Sequence, residues 1–109
     1  MAEKRFLLYS KEKLMGDIIR IRKHFIFEGR VQGVGFRWTA KYAAESLGLT
    51  GWVANMYDGS VEMEIQGEES SLDRMLYELQ KGRFIRITNI EENEIPLEEH
   101  ESGFSVKGY

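Results

Sequence analysis

The sequence predicts an α+β sandwich in which one antiparallel sheet carries two helices on a single face, and three observations point there. Val61, Met63 and Ile65 alternate with Glu62, Glu64 and Gln66, the period of a strand with one buried and one solvated face. Leu72, Met75, Leu76 and Leu79 fall at i, i+3, i+4 and i+7, the stripe of a helix lying on a core. Stop and turn signals at Gly48, Asp58-Gly59 and Gly82 then divide the chain into the order β-α-β-β-α-β, with a last short strand behind it.

Taken in order, the elements are these. In residues 1–22, Leu14, Ile18, Ile19 and Arg22 have helical spacing around Gly16, which predicts a short helix in an N-terminal extension. Residues 23–109 form the domain. His24–Val31 is the first strand, with Phe25 and Phe27 on one face and His24, Ile26, Glu28 and Arg30 on the other. A helix follows from Phe36 to Leu47, its stripe made of Phe36, Ala40, Ala43, Ala44 and Leu47, and Gly48 ends it. Thr50–Asn55 is the second strand and turns through Met56-Tyr57-Asp58-Gly59 into the third, a hairpin signal. Ser70 or Ser71 caps the second helix, which runs to Lys81. Phe84–Ile90 is the fourth strand, Glu91–Glu101 an acidic loop around Pro96, and Phe104–Val106 the final strand. One sheet with two helices on one face, the ferredoxin-like arrangement, satisfies this order.

Composition narrows the functional classes. The 109 residues suffice for one domain with a real core. There is no cysteine, which removes disulfides, thiolate catalysis and cysteine-ligated metal. No apolar run approaches the roughly 18 residues of a membrane span, and Phe6-Leu7-Leu8-Tyr9 is too short for a signal peptide. A cytoplasmic protein without membrane contact is expected. The net charge of −3 hides an asymmetry: residues 1–24 carry seven Lys/Arg against three Asp/Glu, the remainder eight against fifteen. An acidic body argues against a nucleic-acid footprint. The basic segment either meets an acidic partner or packs on that body.

The stretch Gly29-Arg30-Val31-Gln32-Gly33-Val34-Gly35-Phe36-Arg37 has the make-up of an anion cradle. Its glycines allow a tight turn and close backbone approach, and it lies between a strand and a helix start, where amides and the helix dipole hold phosphate. Arg37 falls at that helix start. A cation is unfavourable there unless an anion offsets it, so Arg37 reads as part of the anion site. Asn55 ends a strand before a turn and, from the residues alone, reads as a turn former. His24 and His100 have no ligand-like neighbours in sequence, so no metal is expected. The glutamates of Glu91–Glu101 read as a solvated face. Trp52 is expected in sheet packing, and Trp38 partly exposed on the first helix.

Gly29-x-Val31-Gln32-Gly33-Val34-x-Phe36-Arg37, followed by Gly51-Trp52-Val53-Ala54-Asn55-x-x-x-Gly59-x-Val61 and Gly67, resembles the two signature motifs of the acylphosphatase family. The resemblance runs from about Ile21 to Tyr109. It implies the ferredoxin-like fold and metal-independent hydrolysis of a small-molecule acyl phosphate to carboxylate and inorganic phosphate with no cofactor; a monomer is expected. It implies that Arg37 binds the phosphate with the backbone of Gln32, Gly33, Val34, Gly35 and Phe36, and that Asn55 orients the attacking water. The family often has a hydroxyl residue after that asparagine; this chain has Met56. Two rival readings keep the cradle. One is a catalytically weak anion-binding or regulatory module. The other is the leading unit of a carbamoyl-transferring hydrogenase maturation protein, where zinc-binding cysteines follow. A third rival is a nucleic-acid binder acting through the basic leader.

Overall fold

Alternating apolar residues on four segments require a surface to bury them, and in the computed structural model, which describes residues 19–108, that surface is a pair of helices. The elements are β1 (Arg20–Arg30), α1 (Phe36–Leu47), β2 (Thr50–Asn55), β3 (Val61–Glu68), α2 (Glu69–Gln80), β4 (Arg86–Ile95) and β5 (Phe104–Lys107). The sheet order is β4-β1-β3-β2-β5, antiparallel except where β5 runs parallel to β2. Phe25 and Phe27 of β1, Val53 of β2 and Met63 and Ile65 of β3 are buried against Phe36, Ala40 and Ala44 of α1 and Leu72, Met75 and Leu79 of α2. Both predicted helical stripes are core stripes.

Three expected boundaries shift. β1 opens at Arg20 and not at His24, because Arg20–Lys23 pair with Ile65–Glu68 of β3. Strand pairing therefore reaches into the segment taken as an extension; Leu14 and Ile18 lie outside the described residues. Second, α2 begins at Glu69 with no side-chain cap, where Ser70 or Ser71 was expected to cap it. The Glu69 amide instead donates to the Ile19 carbonyl at 3.0 Å, so tertiary structure supplies the partner a cap would have given. Third, β4 is Arg86–Ile95, so half of the expected acidic loop is strand. It pairs with β1 across a bulge at Glu28/Gly29.

The face away from the helices is also partly covered. Arg22 projects there and is only 2% exposed. Its guanidinium donates to Glu64 at 2.9 Å, to both carboxylate oxygens of Glu101 at 2.7 and 3.0 Å, and to Gln66 Oε1 at 3.3 Å. Gln66 Nε2 donates to the Glu98 carbonyl and accepts from the Glu98 amide. The segment between β4 and β5 is thus strapped over β1 and β3. Lys23 meets Glu92 at 3.7 Å. Two cations from the basic N-terminal segment, Arg22 and Lys23, are thus paired with carboxylates of the acidic body; Lys4, Arg5, Lys11 and Lys13 lie outside the described residues. No helix among the described residues is long and apolar enough to cross a membrane.

Candidate active site

A phosphate loop needs a strand to bring it in, glycines to turn it and a helix start to finish it, and each is present. β1 ends at Arg30, and Val31 is buried as it leaves the sheet. Gly33 and Gly35 take φ of 72° and 81°, left-handed conformations that side chains rarely adopt. Gly35 is the residue before α1, and no side chain caps that helix. The Thr39 amide and hydroxyl both donate to the Gly35 carbonyl, at 3.0 and 2.9 Å. The amides of Phe36, Arg37 and Trp38 precede that first helical bond and have no acceptor within the helix. No acidic residue stands in the first turn to compete for them. Phe36 anchors this helix start: its ring lies 5.0 Å from that of Phe27, which stacks on Phe25 at 5.5 Å.

Asn55 is brought in from the other side of the sheet. It is the last residue of β2 paired to β3, opposite Val61, and sits on the helix side. Its Oδ1 is buried and has no hydrogen-bond donor among the described residues. A buried carbonyl oxygen left unpaired is unfavourable by about 1–3 kcal/mol, so such an atom is rare and needs an explanation. Val31, Gly33, Gly35, Phe36, Arg37, Trp38 and Asn55 together line one depression of about 90 Å³. The two motifs, 18 residues apart between Arg37 and Asn55 in sequence, share that hollow.

Arg37 is oriented by the end of the chain. Its Nη1 donates to the Lys107 carbonyl at 3.0 Å, which uses one of the five donors of the guanidinium fork. Gln32 and Val34, expected among the phosphate ligands, do not line the depression. The Gln32 side chain instead reaches the turn after β2, donating to the carbonyls of Met56 and Ser60 at 2.7 and 2.8 Å. In that turn the Ser60 hydroxyl and amide both donate to Asp58, at 2.6 and 2.9 Å, and hold its carboxyl below the usual carboxylate range. Sequence reading missed Val31 and Trp38 as lining residues. Trp38 sits one residue beyond Arg37 and is 52% exposed at the rim.

His24 was read as isolated, but β1–β3 register places Glu62 at 2.6 Å from its Nε2. No cluster of three or more His, Cys, Asp or Glu suited to a metal ion occurs among the described residues.

Comparison with known proteins gives the family. The acylphosphatase family profile matches residues 23–106. The chain belongs to the acylphosphatase family. It is 44% identical over 87 residues to an acylphosphatase of Clostridium perfringens, covering 79% of this chain and 98% of that protein. A crystal structure of acylphosphatase from Bacillus subtilis superimposes with a TM-score of 0.74 at 34% identity, over 82% of this chain and 99% of that one. An acylphosphatase structure from Coxiella burnetii gives 0.74 at 36% identity, over 81% and 93%. The ferredoxin-like fold and the family resemblance both stand.

Proposed function

We propose that Arg37 and the amides of the Gly33–Phe36 loop hold the phosphoryl group of an acyl phosphate while Asn55 places the water that attacks it. The reaction class, hydrolysis of a carboxyl–phosphate anhydride, follows from family membership. The observation that carries the residue roles is the single hollow in which the loop, Arg37 and an unpaired Asn55 Oδ1 meet. Charge-assisted hydrogen bonds are worth about 1.5–3 kcal/mol each, so two or three from this cradle bind a small anion usefully.

The chemistry asks little of ionisable side chains. Water oxygen bonds to phosphorus as the bond from phosphorus to the acyl oxygen breaks. The leaving group is a carboxylate, which needs no general acid. Asn55 has no useful pKa; its Oδ1 accepts a hydrogen bond from the water and aims it, and the water's proton passes to a phosphoryl oxygen of the substrate. Catalysis is then positioning plus electrostatic stabilisation, as phosphoryl transfer generally allows. Trp38 and the open rim leave room for the acyl group to project outward.

In this reading the working form is a cytoplasmic monomer that binds no nucleic acid, since the whole site comes from one chain and the β4 surface is acidic. Its catalytic unit is the domain expected over residues 23–109 together with the start of β1 from Arg20.

The test is hydrolysis of benzoyl phosphate with a chelator present. Chelator-resistant turnover that Arg37→Ala and Asn55→Ala each lower by at least about 10²–10³ is the expected result. A folded wild type that binds inorganic phosphate without turnover overturns the reading in favour of an anion-binding module.

A further inference from the structure

Gln32 stands in the phosphate loop, yet its side chain is committed elsewhere. Nε2 lies 2.7 Å from the Met56 carbonyl oxygen and 2.8 Å from the Ser60 carbonyl oxygen. Both partners are acceptors only, so the group facing them is the amide nitrogen, with one N–H on each. Those carbonyls stand at the two ends of the turn between β2 and β3. The turn is further closed by the Met56 amide on the Ser60 carbonyl at 2.9 Å and the Gly59 amide on the Met56 carbonyl at 3.2 Å. Asn55 immediately precedes it. One side chain therefore joins the element that would hold the phosphate to the element that would place the water, across 24 residues of sequence.

We propose that Gln32 is a positioning residue for the hydrolysis: its side-chain amide sets the distance and angle between the phosphate loop and Asn55. The inference rests on the residue roles proposed above. Its physical basis is the geometry of in-line attack. Phosphorus is fixed by the loop and the α1 start, the water by Asn55, and the two come from separate strands. The turn that follows Asn55 is exposed at Tyr57, Asp58 and Gly59, so packing does little to hold it. Its own hydrogen bonds close it, and two short hydrogen bonds from the partly buried Gln32 amide tie it to the phosphate loop. A misplacement of about 1 Å between reacting groups lowers rates on the order of a hundredfold.

The experiment separates binding from turnover. Gln32→Ala and Gln32→Met are compared with wild type for kcat on benzoyl phosphate and for the inhibition constant of inorganic phosphate. Gln32→Met fills the same space and keeps the turn packed, so it carries the result where truncation loosens the fold. Expected is a fall in kcat of about ten- to a hundredfold with the phosphate constant changed less than about threefold. In an Asn55→Ala background the same substitutions lower kcat by less than about threefold more, because the water they would misplace is no longer aimed. Phosphate affinity falling in step with kcat would make Gln32 a ligand and overturn the proposal. So would undiminished kcat, or a full independent loss in the Asn55→Ala background. An inactive wild type overturns the hydrolytic reading itself, whereas an active wild type with intact Gln32→Ala and Gln32→Met overturns this inference alone.

Discussion

Arg37 donates from Nη1 to the main-chain carbonyl of Lys107 at 3.0 Å, so the cation of the site is steered by the last strand of the sheet. β5 lies parallel beside β2, with Val106 opposite Val53 and Lys107 opposite Ala54. The end of the chain is thereby delivered to the start of α1. A helix N-terminus repels a cation, and the carbonyl offsets part of that cost while using one guanidinium donor.

Ending the chain at Val106 should therefore disturb the site without removing a predicted ligand. The expected loss is about tenfold in kcat/KM, near the contribution of one charge-assisted hydrogen bond. Arg37→Ala should lose at least about 10²–10³. Steady-state kinetics on benzoyl phosphate with both variants gives the comparison. A truncated chain as impaired as Arg37→Ala would mean that β5 does more than orient the arginine.

Asn55→Ala should separate activity from stability. Turnover is expected to fall by about 10²–10³. Stability should hold or rise slightly, because the substitution removes a buried oxygen that has no donor among the described residues. Thermal unfolding of the variant beside its kcat tests this. A marked drop in Tm would show that the side chain is structural.

The Arg22–Glu101 pair predicts a pH window for stability. Burial pushes the Glu101 carboxyl up, but the Arg22 hydrogen bonds and charge, together with Thr50 and the Lys107 charge, outweigh it and leave the group below its ordinary value of 4.5. A depressed carboxylate stabilises fully above its unfolded value and loses that contribution as pH falls through its folded one. Arg22, held above its ordinary value first by the Glu101 bond, keeps its charge throughout. Glu101→Gln should lower stability at pH 7 by about 2 kcal/mol, with Glu64 still facing Arg22. The difference from wild type should shrink below pH 4.5. Urea unfolding at pH 7 and pH 3.5 reads both; a pH-independent difference would remove the ion pair from the explanation.

Gly35→Ala tests the loop itself. Apart from its chain neighbours, no described residue has an atom within 4 Å of where its Cβ would go, so the penalty is conformational and not steric. At φ 81° it should be about 1–2 kcal/mol, with weaker phosphate binding as the loop relaxes. Gly35→Asn, which tolerates left-handed backbone better, should recover part of both. Urea midpoints and phosphate inhibition constants decide it, and equal behaviour of the two variants would count against the backbone argument.

Most of the candidate-site residues could be singled out in the sequence because they carry a local reason. Glycine at 33 and 35 is needed for the backbone turn, and Arg37 at a helix start is anomalous without an anion. Asn55 was legible only through the motif, since an asparagine before a turn has an ordinary explanation. The core stripes were legible because their periods are set by helix and strand geometry. The strands misjudged at their ends are those whose pattern is not apolar. Arg22 was read at helical spacing with Leu14, Ile18 and Ile19 but lies in β1, and Glu91–Glu94 carry no buried face to announce an edge strand. β1's open edge made β4 a strand, through backbone pairing that is blind to side-chain type.

Sequence by itself determined the element order, the buried faces, the glycine turn before α1 and the family, because these rest on local periods, glycine conformations and motifs. Tertiary structure alone decided which distant groups meet. The β1–β3 register brought Glu62 to His24 and Glu64 to Arg22. The parallel β5 brought the Lys107 carbonyl to Arg37, and the return of β2 beside β3 brought the Met56 and Ser60 carbonyls to Gln32. Such contacts depend on strand register and crossing over tens of residues, and no local period encodes them.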